Sequence, residues 1–163
     1  MGKQGKSKRK GRQVAALPWY RGDDGALRVL LISSRDTHRP VIPKGWPMRK
    51  LPDREAAAIE AFEEAGVRGT VSTRPIGRFR YWKRLEETFR LIDVDVYGLE
   101  VAQQMIEWPE REQRAMRWFT SSDAALLIDE PELATLISTL ARRLDGGKDG
   151  AKAAKKKSKK SGG

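Results

Sequence analysis

Residues 43–67 read PKGWPMRKLPDREAAAIEAFEEAGV. The opening Pro43-Lys44-Gly45-Trp46-Pro47 is a tight turn built around a glycine. The spacing that follows predicts a helix over 53–66, with Asp53 as its N-cap and Gly66 where the helix stops. At about 100° per residue, Glu60, Glu63 and Glu64 fall on one face. Ala58, Phe62 and Ala65 fall on the other and form the expected buried stripe. Glu60 and Glu64 are like charges one turn apart, which costs about 0.2–0.5 kcal/mol in an isolated helix. Nothing on that face supplies a nearby cation. The bare triplet leaves two explanations open. One is a solvated acidic face, since Glu is a good helix former. The other is an all-oxygen site for a hard divalent cation, Mg²⁺ or Mn²⁺.

Outward from this stretch the chain alternates strand and helix patterns. Upstream, 14–20 and the aliphatic run LRVLLIS at 27–33 read as strands, joined into a hairpin by RGDDG at 21–25. A short strand over 39–43 leads into the turn. Downstream, 74–85 and 88–99 form a second hairpin. In its return strand Phe89, Leu91, Val94 and Val96 supply the apolar set, and Asp93 and Asp95 share a face. A further strand covers 114–119 and a short helix 121–128. A terminal helix covers 131–144, with Leu133, Leu136, Ile137 and Leu140 at helical spacing. There is no internal repeat.

The charge of the chain is concentrated at its ends. Residues 1–13 carry six Lys or Arg and no acid, and residues 146–163 carry seven Lys against Asp149. Together the tails hold +12 of the formal net charge of +11, so the middle sums to −1. The 163 residues therefore divide into a basic tail (1–13), one near-neutral domain (14–145) and a Lys-rich tail (146–163). Both tails are expected to be disordered. They offer non-specific contact with nucleic acid or another polyanion, or solubility alone. No aromatic residue stands between the lysines, which favours the second.

Several classes are excluded. With no cysteine there is no disulfide, thiolate metal site or cysteine nucleophile, and the single His38 excludes multi-histidine zinc sites. No apolar run approaches the roughly 20 residues that span a bilayer. VAALPWY is too short and too polar at its end for a signal-peptide core. The expectation is a cytoplasmic protein with no membrane partner.

Counted from Gly45, the glycine, Glu60, Glu63, Glu64, Gly66 and Val67 fall in register with the box G-x5-E-x7-R-E-U-x-E-E-x-G-U, where U is a bulky aliphatic residue. In this the chain resembles the Nudix hydrolase family. VIPKGW at 41–46, YWK at 81–83, VDVYGL at 94–99 and EWPEREQRAMRWF at 107–119 are similar to its diphosphoinositol polyphosphate phosphohydrolase-like branch. The resemblance covers most of 13–143 and neither tail. Leu51 stands at the box's first Glu, Ile59 at its Arg and Ala61 at its U; Glu55 lies one turn before Ile59, out of register.

The resemblance implies an α/β domain, an α/β/α sandwich around a mixed β-sheet. It implies metal-dependent hydrolysis of a phosphoanhydride bond in a small phosphorylated molecule. The substrate classes are a nucleoside diphosphate linked to X, a dinucleoside polyphosphate or a diphosphoinositol polyphosphate. Glu60, Glu63 and Glu64 would coordinate Mg²⁺ (or Mn²⁺), with Glu64 the firmest ligand. One of the three, or a loop acid among Glu107, Glu110 and Glu112, would take the proton from the attacking water. The box Arg orients these glutamates through ion pairs, which Ile59 cannot do. Arg39, Lys44 and Lys83 would meet the substrate's phosphates, with Arg35 and Arg90 as further cations. Gly45 would serve through its backbone. Trp46, Trp82 and Trp108 are expected in packing, and His38 in a loop. Because the box Arg and first Glu are missing, a second reading stays open: a module that binds a phosphorylated ligand or RNA without cleaving it.

Overall fold

The computed structural model describes residues 11–144. The sequence predictions for 1–10 and 145–163 lie outside the described residues. Eleven elements follow in chain order: β1 (Arg12–Arg21), β2 (Leu27–Ser33), β3 (Pro40–Val41), β4 (Lys44–Gly45), α1 (Asp53–Ala65), β5 (Val67–Val71), β6 (Gly77–Arg84), β7 (Phe89–Gln104), β8 (Met116–Thr120), α2 (Ser121–Leu127) and α3 (Pro131–Ser138). After a turn at Thr139 the chain is helical again over 140–144.

The eight strands form one mixed sheet. Its spine runs β3-β2-β1-β7-β5, with β4 on β1, β6 on β7 and β8 on β2. Only β1 and β7 run parallel, with Ala15 opposite Val96 and Leu17 opposite Gly98. The other pairings are antiparallel. β1 is central and covered on both faces, which is why it reads as a nearly continuous apolar run. Alternate side chains go to opposite layers. Ala15, Leu17 and Trp19 pack with Val29, Phe79 and Val94 against Leu133, Leu136 and Ile137 of α3. Val14 and Ala16 pack with Leu30, Ile32 and Leu99 against Ala57, Ala61 and Ala65 of α1. The result is helix, sheet, helix: the α/β/α sandwich with a mixed sheet that the resemblance implies.

Several local expectations change. The N-terminal tail is shorter than 1–13, because Arg12 and Gln13 belong to β1. Arg12 Nη1 donates to Asp53 Oδ2 at 2.7 Å, and Gln13 is buried and accepts from the Tyr81 hydroxyl at 2.6 Å. Asp53 is therefore not the N-cap of α1. Pro52 holds that position without a side-chain cap, and the Asp53 carboxylate is committed to Arg12. Gly66 does end the helix, left-handed at φ 68°, with its N–H on the Phe62 carbonyl.

The buried stripe of α1 is rotated from the expected one. Ala56, Ala57, Ala61, Glu64 and Ala65 are buried, while Ala58 and Phe62 are half-buried. The alanines let the helix lie close to the sheet, and that closeness draws Glu64 inward. On β7, Ile92, Val94 and Val96 face the core, while Phe89 and Leu91 share the parity of Asp93 and Asp95 and stand exposed. β5 has no counterpart in the sequence prediction. It pairs with the end of β7, with a bulge between Arg68 and Gly69.

Candidate active site

The site forms where β4 passes under α1. Lys44 and Gly45 pair with Ala15 and Val14 of β1, and the Ala16 N–H donates to the Pro43 carbonyl at 3.0 Å. A Cβ on Gly45 would collide with the Glu60 carboxylate. The glycine therefore leaves room for the Glu60 carboxylate against β4. The Lys44 N–H donates to Glu64 Oε2 at 2.9 Å.

From the other side comes the segment between β7 and β8. It is stapled to the end of α1: the Met105 N–H donates to the Gly66 carbonyl at 2.7 Å and the Glu110 N–H to the Glu63 carbonyl at 2.9 Å. Gln104 donates to the Ala65 and Gly66 carbonyls. The Trp108 ring lies so close to Gly66 that a Cβ there would strike it. These bonds carry Glu110 and Arg114 into the site. Arg114 Nη2 donates to Glu64 Oε1 at 2.8 Å, its Nε to Glu110 Oε1 at 3.0 Å and its Nη1 to the Ser33 carbonyl at 3.1 Å.

The resulting pocket has a volume of about 610 Å³. Glu60, Glu64 and Glu110 line it together with Arg35, Lys44, Gly45, Lys83 and Arg114. A second pocket of about 620 Å³ adjoins it, sharing Lys44 and Lys83 and adding Arg39, Tyr81, Trp82 and Arg84. The predicted residues thus divide. Glu60, Glu64, Lys44, Gly45 and Lys83 come together. Glu63 does not line either pocket; its carbonyl holds Glu110. Arg39 lines the second pocket but is tied to Glu130 at 2.7 Å and Asp129 at 3.7 Å. Of the loop acids, Glu110 lies in the site, Glu107 pairs with Arg111 and Glu112 is exposed. Arg35 reaches Gln113 and approaches Glu110, and Arg90 lines neither pocket. Trp46 lies under the Lys83 ammonium, Trp82 is largely exposed, and His38 is in an exposed turn.

The electrostatics are unusual for glutamates. Burial, reinforced by the charges of Glu64, Glu63 and Glu110, pushes Glu60 up to about 7. Burial also raises Glu64, against the pull of Arg114 and the Lys44 N–H. Lys44 is lowered to about 8 by burial, which Glu64 opposes. Among the described residues no hydrogen-bond donor meets the Glu60 carboxylate, and no three acidic side chains converge closely enough to cage an ion by themselves. Such a set still suits Mg²⁺, which is commonly held by one or two carboxylates together with substrate phosphates and water. The donors are all oxygen, and Glu60 is a half-buried carboxylate short of positive charge. The cation requirement fits these residues.

Arg114 is the site residue that sequence reasoning missed. Its partner Glu64 lies 50 positions away, and an arginine inside EWPEREQRAMRWF carries no local signal of burial.

The family profile described as NUDIX domain matches residues 10–140. The chain belongs to the NUDIX domain family. Nudix hydrolase 12, mitochondrial, of Arabidopsis thaliana is 34% identical over 102 residues, covering 60% of this chain and 50% of that one. Nudix hydrolase 18, mitochondrial, of the same plant is 32% identical over 133 residues, covering 76% of this chain and 73% of that one. The chain spans about half the length of Nudix hydrolases 12, 13 and 16 from that plant. Among solved structures, a C. elegans Ap4A hydrolase superposes with a TM-score of 0.60 at 16% identity, over 82% of this chain and 98% of that one. The NUDIX domain of Shewanella oneidensis NrtR complexed with ADP ribose does so with a TM-score of 0.60 at 15% identity, over 83% and 88%. At these identities the structures speak for the fold alone.

Proposed function

We propose that the chain hydrolyses a phosphoanhydride bond in a small phosphorylated molecule with the help of Mg²⁺ or Mn²⁺. The observation that carries this reading is one pocket in which Glu60 and Glu64 face Lys44, Lys83 and Arg35. Carboxylates there suit a divalent cation, and the cations beside them suit phosphate oxygens. The A. thaliana relatives are named hydrolases, which supports the activity. The neighbours alike in fold include an Ap4A hydrolase and an ADP-ribose complex, so the dinucleoside polyphosphate and nucleoside-diphosphate-X classes are the first to be tried. A diphosphoinositol polyphosphate is the further candidate, from the likeness at 41–46 and 107–119.

Glu60 and Glu64 would hold the cation, with Glu110 beside them and water and substrate oxygens completing its shell; Glu63 lines neither pocket. When bound, the cation neutralises phosphate charge and makes a bound water more acidic. Lys44 and Lys83 sit on the shared wall of the two pockets and orient the phosphate chain across it. Glu60, whose carboxylate meets no hydrogen-bond donor among the described residues, would keep one oxygen free to accept the proton from the attacking water. Trp46 and the adjoining pocket hold the remainder of the substrate.

The test is a substrate panel with the full chain, assayed with Mg²⁺ and Mn²⁺ in turn. At least one phosphoanhydride is cleaved, and the rate falls about 10²-fold or more in Glu60→Gln. Thermal stabilisation by a panel member with no cleavage into its phosphorylated fragments would instead make the chain a binding module.

A further inference from the structure

Arg114 is the most heavily partnered side chain in the pocket, and it is only 9% exposed. One guanidinium holds two carboxylates, Glu64 at 2.8 Å and Glu110 at 3.0 Å, and gives its third donor to the Ser33 carbonyl. Its base is rigid. The Ala115 N–H donates to the Ser33 hydroxyl, and the Ser33 N–H returns a bond to the Ala115 carbonyl, both at 2.9 Å. The arginine is thus fixed to the end of β2 while its fork reaches across to α1.

Position 59, where the box would carry its arginine, opens elsewhere. Ile59 lines a groove with Ala58, Phe62, Val67, Arg68 and Leu99, and no carboxylate lines that groove. The ion pair within the site comes from Arg114 instead.

We propose that Arg114 is a positioning residue that sets Glu64 and Glu110 for cation binding, the service that Ile59 cannot provide. This rests on the metal-dependent reading above. A planar guanidinium with fixed donors aims two carboxylates at once, which an ammonium cannot do. It also cancels the repulsion that would otherwise drive Glu64 and Glu110 apart. A purely electrostatic view makes the opposite forecast, since a positive charge beside a cation site repels the ion. On that view, weakening the Arg114 contact tightens metal binding.

The experiment is Mn²⁺ binding to the full-length chain, followed by loss of the free ion's electron paramagnetic resonance signal. The proteins are wild type, Arg114→Lys, Glu110→Gln and the double variant. Positioning predicts about 10- to 100-fold weaker Mn²⁺ binding in Arg114→Lys, in the range seen when partners of metal ligands are removed. Glu110→Gln is also weaker, and the double variant is little worse than the weaker single one, because the two changes break one shared unit. Equal or tighter Mn²⁺ binding in Arg114→Lys overturns the proposal, as do two losses that simply add. If Arg114→Lys fails to melt cooperatively, Glu110→Gln decides alone, and wild-type affinity in it overturns the proposal. A wild-type chain that takes up no Mn²⁺ removes the metal-dependent reading itself and this proposal with it.

Discussion

Glu60 gives the metal-free protein a pH dependence of definite sign. Below its ordinary value of 4.5 the carboxyl is protonated in both the folded and unfolded chain. Between there and about 7 the folded chain holds a proton that the unfolded chain has released, so this group's contribution to stability is lost as pH rises. Glu64 acts in the same direction. Melting of the wild type and of Glu60→Gln in EDTA should therefore diverge between pH 5 and 7.5, with the variant gaining on the wild type. A constant difference would show that Glu60 titrates normally. Gly45→Ala makes a second test at this scale. The new methyl meets the end of a flexible side chain, so Glu60 moves and the fold persists. The expected result is a large fall in hydrolysis and Mn²⁺ binding with little change in melting temperature. Unfolding, or unchanged activity, would contradict it. That Gly45, Glu60 and Glu64 come together was legible because their spacing along one turn and one helix is local. Arg114 was not, because two of its three partners, Ser33 and Glu64, come from distant segments. Helical angles say which residues share a face, and only packing against 105–115 says which of them line a pocket, as Glu60 and Glu64 do and Glu63 does not.

Among the elements, α1 carries the site and its C-terminal end is its most constrained point. Gly66 is left-handed and lies under Trp108, so Gly66→Ala meets both backbone strain and a ring. The strain alone costs about 1–2 kcal/mol. Urea unfolding should show at least that loss, and a midpoint equal to wild type would sink the account of this turn. The helix itself was readable from its amphipathic spacing, as was β2 from its aliphatic run. β5 was not readable: of VRGTV only Val67 is buried, and Gly69 bulges where a side chain would strike the Glu100 backbone. The apolar set of β7 was mixed across two faces because Phe89 and Leu91 look like core residues. Their exposure follows from the strand parity that Asp93 and Asp95 share.

At the scale of the whole molecule, the two layers of core on either side of one sheet follow from the double-sided burial of β1 and β7. That architecture was legible mainly through the box and the alternation of strands with helices. Among the described residues no helix is long and apolar enough to cross a membrane. The positive charge lies in the tails, so binding to a polyanion such as heparin should fall steeply with salt, while hydrolysis of a small substrate changes far less over the same range. Salt-independent retention on heparin would remove any electrostatic role for the tails. The most direct test of the site is a crystal of the full chain soaked in Mn²⁺ and measured for anomalous scattering. The account predicts a peak in contact with Glu60 and Glu64. A map with no peak there, or with manganese bound only elsewhere on the molecule, would contradict it.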